Sequence, residues 1–177
     1  MSDLVLLSTS RLTLDPITIE HAEPLHELLG DRELYHFMPF KELSFEERKN
    51  LCERWSIGRS PNGDEIWLNW IAKETNSGQA IGHFQAGISA ERIATIAYVV
   101  ATKFQRQGFA LEALTVILIH LREVMQVREV KAWSDTRNIA SHSLADKLGL
   151  RKIETIKDAD FFNGATSNEY VFSLKFT

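Results

Sequence analysis

Between Ile66 and Val100 the sequence changes its period. Ile66, Leu68, Trp70 and Ala72 alternate with Trp67, Asn69 and Ile71, the two-residue repeat of a strand. Both faces are apolar, so this strand belongs inside a sheet rather than at its edge. A turn at Asn76-Ser77-Gly78 leads into Ala80 to Ile88, where Gly82 and Gly87 mark a bulge or a close approach. Ile93 to Val100 is a third, apolar strand. Short turns leave no room for crossovers, so the three strands predict an antiparallel meander.

The flanking segments fit around that meander. Leu12 and Leu14 alternate with Thr13 and Asp15, a half-buried strand over Arg11 to Pro16. Thr18 to Leu29 carries Ala22, Leu25, Leu28 and Leu29 at helical spacing, with Pro24 near the first turn and Gly30-Asp31 as the stop. Ser44-Phe45-Glu46-Glu47 reads as a capping box opening a second helix, with Leu51, Cys52 and Trp55 on its apolar face. Gly58 to Asp64 is a loop. Gly108 to Met125 is a long amphipathic helix, Glu129 to Trp133 a short strand, and Asn138 to Leu148 a helix capped by Asn138 and ended by Gly149. Arg151 to Thr155 and Glu169 to Phe176 close the chain as strands. The order β-α-α-β-β-β-α-β-α-β-β describes one mixed α/β domain over residues 1–177, a meander feeding a strand-helix-strand crossover.

Composition narrows the functional classes. The 177 residues include 24 acidic and 20 basic side chains, a net charge of −4, and one cysteine. The mild acidity argues against non-specific binding to nucleic acid. A single cysteine excludes an internal disulfide and a cysteine-based zinc site, and the six histidines have no ligand spacing, so no metal is expected. Met1 to Leu7 has no positive charge before its short apolar run and makes a poor signal peptide. No apolar run approaches the ~20 residues that span a bilayer. A cytoplasmic location, without membrane or nucleic-acid partners, is the expectation.

The chemistry is expected where Tyr98-Val99-Val100 ends a buried strand and Gln105-Arg106-Gln107-Gly108-Phe109-Ala110 leads into the long helix. Successive backbone N–H groups at a helix start favour a phosphate or pyrophosphate, through unpaired donors and the helix dipole. Gly108 allows close approach, Ala110 keeps the next position small, and Lys103 and Arg106 add positive charge. The loop is neither a G-x-x-x-x-G-K-[ST] nor a G-x-G-x-x-G motif.

That loop resembles the [RQ]-x-x-G-x-[GA] loop of the GNAT superfamily of acetyl-CoA-dependent N-acetyltransferases. Asn138-Ile139-Ala140-Ser141, with Leu144 and Lys147-Leu148-Gly149-Leu150 downstream, resembles the superfamily's second motif. The front of the chain, from Arg11-Leu12-Thr13-Leu14 through both helices, is similar to the ribosomal-protein alanine N-acetyltransferase-like branch. The resemblance implies a mostly antiparallel, twisted sheet of about six to seven strands flanked by about four helices. It implies acetyl-CoA as co-substrate, with the pantetheine beside Ile93 to Val100 and Tyr98, Val99 and Val100 nearest the thioester. An amide at Val99 or Val100 would polarise the thioester carbonyl. The amides of Gln105, Arg106, Gln107, Gly108, Phe109 and Ala110 would hold the pyrophosphate, and Asn138 would hydrogen-bond the pantetheine.

The resemblance also implies direct attack by an amine, either a protein N-terminus or a small molecule, on a monomeric or homodimeric enzyme. The family's frequent acid, a tyrosine seven residues after the motif asparagine, is replaced here by Ala145. Ser141 is the substitute, or it merely caps and packs the helix start. The frequent strand glutamate is also missing, with Thr95 and Ala97 in that stretch. His83, Glu112, Asp135 and a water chain are the base candidates. Tyr35, His36, Phe37, Met38 and Phe40 lie where the branch places its acceptor loop, or form a hydrophobic clamp between helices. Cys52, Trp55, Trp67, Trp70 and Trp133 are read as core, with one of the tryptophans alternatively bordering the acceptor pocket. A non-catalytic acyl-CoA sensor and an α/β domain without a CoA site are the competing readings.

Overall fold

A computed structural model describes residues 5–176; Met1 to Leu4, part of the segment read as a poor signal peptide, lie outside it. The strands are β1 (Leu7–Ser8), β2 (Leu12–Pro16), β3 (Ile66–Glu74), β4 (Ala80–Ile88), β5 (Ile93–Val100), β6 (Glu129–Asp135), β7 (Arg151–Phe162) and β8 (Ala165–Lys175). The helices are α1 (Ala22–Leu29), α2 (Phe45–Ser56), α3 (Phe109–Glu123) and α4 (Ile139–Lys147), with 3-10 turns at Ile19–His21, Arg32–Tyr35 and Thr102–Phe104. The strands form a single sheet in the order β1-β2-β3-β4-β5-β6-β8-β7. Every neighbouring pair is antiparallel except β5–β6, which α3 joins as a crossover.

The meander is present as expected, and the sheet has eight strands rather than six or seven. The additional strand, β1, is two residues long, too short to carry a period. β7 extends to Phe162, well beyond Thr155, through its pairing with β8; its nearly all-exposed side chains show no apolar alternation that would reveal it. Gly82 does mark a close approach: a Cβ there would meet the Val99 carbonyl at 2.7 Å, next to a register shift opposite Ala72 and Lys73. Gly87 has only ordinary contacts.

Two apolar clusters cover the two faces of the sheet. On one face Leu12, Leu14, Leu68, Trp70, Phe84, Ile96 and Val100 pack against Leu114, Ile117 and Leu121 of α3. On the other, Ile71 packs with Leu25 and Leu28 of α1 and Cys52 of α2, with Val99 and Ala101 alongside. Fully burying a side chain of this size contributes about 1.5–3 kcal/mol. Cys52 and Trp70 are core, as expected, but Trp133 is 41% exposed and Trp55 and Trp67 are half-buried. Successive β5 residues thus serve opposite faces: Tyr98 borders the first cluster and Val99 the second.

Candidate active site

β5 pairs with β4 from Ala94 to Val100, but with β6 only at Ile93, Ala94 and Thr95. β6 pairs instead with β8 as far as Asp135. The two strands part after Thr95, so the β5 edge from Ile96 to Val100 borders a wedge. Ladder alternation decides which backbone groups enter it. Ala101 N–H donates to the Ile81 carbonyl at 2.9 Å, so Val99, two residues earlier, also turns its amide toward β4. The amides of Tyr98 and Val100 face the wedge. Of the two amides considered for polarising a carbonyl, geometry therefore favours Val100 over Val99.

The turn after β5 prepares the start of α3. Gln105 N–H donates to the Thr102 carbonyl, and Gln105 Nε2 donates to the Val100 carbonyl at 3.0 Å. The Gln105 amide is thus committed inside the turn, which corrects its place among the phosphate donors. Arg106 and Gly108 both have positive φ, 60° and 84°. Among the described residues, the backbone N–H groups of Arg106, Gln107, Gly108, Phe109 and Ala110 have no acceptor. Five free donors in the loop and first turn of a fifteen-residue helix are an arrangement suited to an anion. Gly108 is required first by its left-handed backbone.

A clamp across the sheet, which the sequence reading missed, fixes this loop. The Arg11 guanidinium lies 4.3 Å from the Phe109 ring centroid, donates to the Gln107 carbonyl and pairs with Glu112. Thr9 and the Arg11 amide also donate to Glu112. The signal was an arginine at a strand start and an acid in a helix's first turn, a hundred residues apart.

Across the wedge, Asn138 caps α4 by accepting the Ser141 N–H at 3.1 Å. The same first turn carries the Ser141 hydroxyl to 3.4 Å from the Tyr98 hydroxyl, which donates to it. Burial pushes the Tyr98 phenol up while the Ser141 contact opposes it, so Tyr98 stays protonated at neutral pH. Its stacking on Phe84 fixes the ring, with centroids 6.0 Å apart.

A strand edge left open beside a free-amide helix start is matched by a family profile described as an acetyltransferase (GNAT) domain, over residues 11–151. The chain belongs to the GNAT family. It is an acetyl-CoA-dependent N-acetyltransferase. An uncharacterised N-acetyltransferase of Bacillus subtilis, YoaA, is 23% identical over 173 residues, covering 96% of each chain. The fold matches that of a ribosomal-protein-S5-alanine acetyltransferase from Vibrio fischeri, at a TM-score of 0.85, 16% identity and coverage of 97% and 96%. It also matches RimL, a ribosomal L7/L12 alpha-N-protein acetyltransferase solved with coenzyme A, at a TM-score of 0.85, 18% identity and coverage of 97% and 98%.

Within this GNAT chain the base candidates fare poorly. Burial would raise the Glu112 pKa, but hydrogen bonds from Thr9 and Arg11 and the guanidinium charge bring it below the usual range. Asp135 is held far below the usual carboxylate range, first by Arg137, which binds it through two nitrogens at 2.8 and 2.6 Å, and also by Ser167. Both carboxylates are already committed to hydrogen-bond donors. His83 is buried, 3.1 Å from Asn69 Oδ1 and tilted against Trp55 at 4.7 Å. Desolvation, with the nearby Arg48 charge, lowers its pKa to about 4, so it is neutral at pH 7 and committed to Asn69. A water chain is the remaining route among those considered.

The loop expected to meet the acceptor borders a cavity of about 500 Å³ lined by Arg32, Glu33, Tyr35, His36, Phe40 and Asn163. Tyr35 packs edge-on against Phe40 and donates to the Leu29 carbonyl. Asn163, at the β7–β8 hairpin tip, reaches the Tyr35 carbonyl at 3.5 Å. A larger cavity, about 730 Å³, lies between α1 and the Ala101–Lys103 turn; its walls include neither Tyr98 nor Ser141.

Among the described residues no helix is long and apolar enough to cross a membrane, and no cluster of three acidic, histidine or cysteine side chains is placed to hold a metal.

Proposed function

We propose that the enzyme moves the acetyl group directly from acetyl-CoA to a primary amine while both are bound. The observation that carries this reading is the wedge between β5 and β6, with two β5 amides pointing into it. The Tyr98 and Val100 amides would hold the extended pantetheine, and Val100 N–H would stabilise the oxyanion as the carbonyl is attacked. The Arg106 to Ala110 amides would hold the pyrophosphate. Asn138 keeps its Nδ2 for the pantetheine while its oxygen caps α4. Ser141 would protonate the departing thiolate, and Tyr98 would position Ser141.

The acceptor enters on the face carrying α1 and α2, past Tyr35 and Phe40. A protein N-terminus suits this reading because the fold is shared with enzymes whose names specify such substrates; a small amine fits the same cavity. CoA titration followed by initial rates over a panel of peptide N-termini and small amines tests both parts. Intersecting lines are expected, since a ternary complex must form before either product leaves. Parallel lines with a trapped acetylated side chain would overturn direct transfer. CoA binding without turnover of any amine would return the sensor reading.

A further inference from the structure

The inward row of α2 is Arg48, Cys52 and Trp55, at the spacing that keeps one helix face toward the sheet. Cys52 is fully buried in the second cluster, and Arg48, one turn earlier, is only 6% exposed. A guanidinium thus stands where an apolar side chain would pack. Its Nε is buried without a hydrogen-bond partner. Among the described residues it forms no ion pair and no hydrogen bond. Its electrostatic neighbours are Tyr35, Cys52 and His83, and none is an anion at neutral pH. Only Nε is sealed off among its nitrogens, so the charge keeps some hydration, yet holding it this deep without a partner is still unfavourable for folding.

The position of this charge supplies a reason. Tyr35 interacts electrostatically with Arg48 and lies in the wall of the 500 Å³ cavity. His83, on the other side, is the register partner of Val99 on β5. Arg48 is therefore within electrostatic reach both of the wall of that cavity and of β4, the strand next to the one that would hold the thioester. Guanidinium is suited to this place because its planar fork binds carboxylate and phosphate through paired hydrogen bonds.

We infer that Arg48 recognises an anionic group on the acceptor, so that the preferred amine carries a carboxylate or phosphate a few bonds from its nitrogen. The inference rests on the direct-transfer reading above and names the substrate class of that site. Binding the anion would complete the unpaired guanidinium and hold the amine toward β5.

Matched acceptor pairs test it: alanine against alaninamide, aspartyl- against asparaginyl-alaninamide, and phosphoseryl- against seryl-alaninamide. At least one anionic member is expected to exceed its neutral partner tenfold or more in kcat/KM, mainly through KM. The first pair reports an α-carboxylate, the second a side-chain carboxylate and the third a phosphate. Arg48→Gln should bring that ratio below threefold, and Arg48→Lys should leave it intermediate. Arg48→Met should keep or raise the Tm, since it removes a buried charge; a residue kept only for structure would lower it. CoA affinity, measured by calorimetry, should stay within twofold in all three variants. A preference below threefold in every pair, with amines turned over, overturns this inference alone. Survival of the preference in Arg48→Gln does the same. A chain that binds CoA but acetylates no amine overturns the transfer reading and this inference with it.

Discussion

Ser141→Ala tests the proton path most directly, and Tyr98→Phe shows how the path is arranged. Tyr98 donates to the Ser141 oxygen at 3.4 Å. That leaves the serine's own hydrogen free to point elsewhere, as a donor to a departing sulfur requires. A positioned general acid contributes ~10²–10⁴-fold, and Ser141→Ala should lower kcat by an amount in that range. Tyr98→Phe removes one neutral hydrogen bond, worth about 0.5–1.5 kcal/mol, or about 2–13-fold in rate. The phenylalanine keeps the stacking on Phe84, so Tm should change little. If Tyr98 acts through Ser141, the double variant should be no slower than Ser141→Ala alone. The assay is thiol release at saturating acetyl-CoA, with single-turnover runs to show that chemistry limits the rate. A kcat for Ser141→Ala within threefold of wild type would remove Ser141 as the acid. Multiplicative effects in the double variant would show that Tyr98 acts independently.

Gly108→Val should weaken CoA binding at least tenfold by calorimetry, because a β-branched residue resists φ of 84° and shifts the amides on either side. The strain should cost about 1–2 kcal/mol of stability, and unchanged affinity in a folded variant would remove this loop as the phosphate site. His83 gives a pH prediction: its folded pKa, about 4, lies below the unfolded value near 6.5. The unfolded chain therefore binds the proton first, so this contribution is complete above pH 6.5 and is lost as pH falls toward 4. Urea unfolding should show His83 costing about 2 kcal/mol between pH 7.5 and pH 5, and His83→Gln should lose that part of the slope; an equal slope in both would refute the assignment.

Legibility in the sequence followed the range of the interactions. The meander, α3 and the Asn138 cap were readable because each depends on local period or local capping chemistry. β1 and the outer half of β7 were not, since two residues hold no period and an exposed hairpin has no apolar alternation. Candidate site residues sorted in the same way. The loop before α3 could be located from one glycine beside a strand end, but only register showed that Val99 turns its amide away from the wedge. The Gln105 amide looked available until the turn at Thr102–Phe104 was seen to use it. Glu112 looked like a candidate base because its partner, Arg11, is distant in sequence, and Asp135 because nothing local showed that Arg137, two residues on, folds back onto it. Arg48 was passed over because helical periodicity registers apolar side chains, and a charge on the inward row reads as noise.

In the proposed mechanism the reaction is divided between the two faces of the sheet. Tyr98 and Ser141 lie on the α3–α4 face, where that mechanism would bring a proton to sulfur. Tyr35 and Arg48 lie on the α1–α2 face, where the proposed mechanism would select the amine. β5 alone serves both sides, because neighbouring residues on a strand point to opposite faces. Its free edge exists because β6 leaves it after Thr95 to continue along β8, so an extended ligand can take the place of the missing strand. The wedge is therefore a consequence of strand order, and it is indifferent to the acceptor. Acceptor choice would depend instead on α2 and the loop before it. Substitutions at Arg48 and Tyr35 should consequently alter which amine is used without altering CoA affinity, and substitutions at Gly108 should do the reverse.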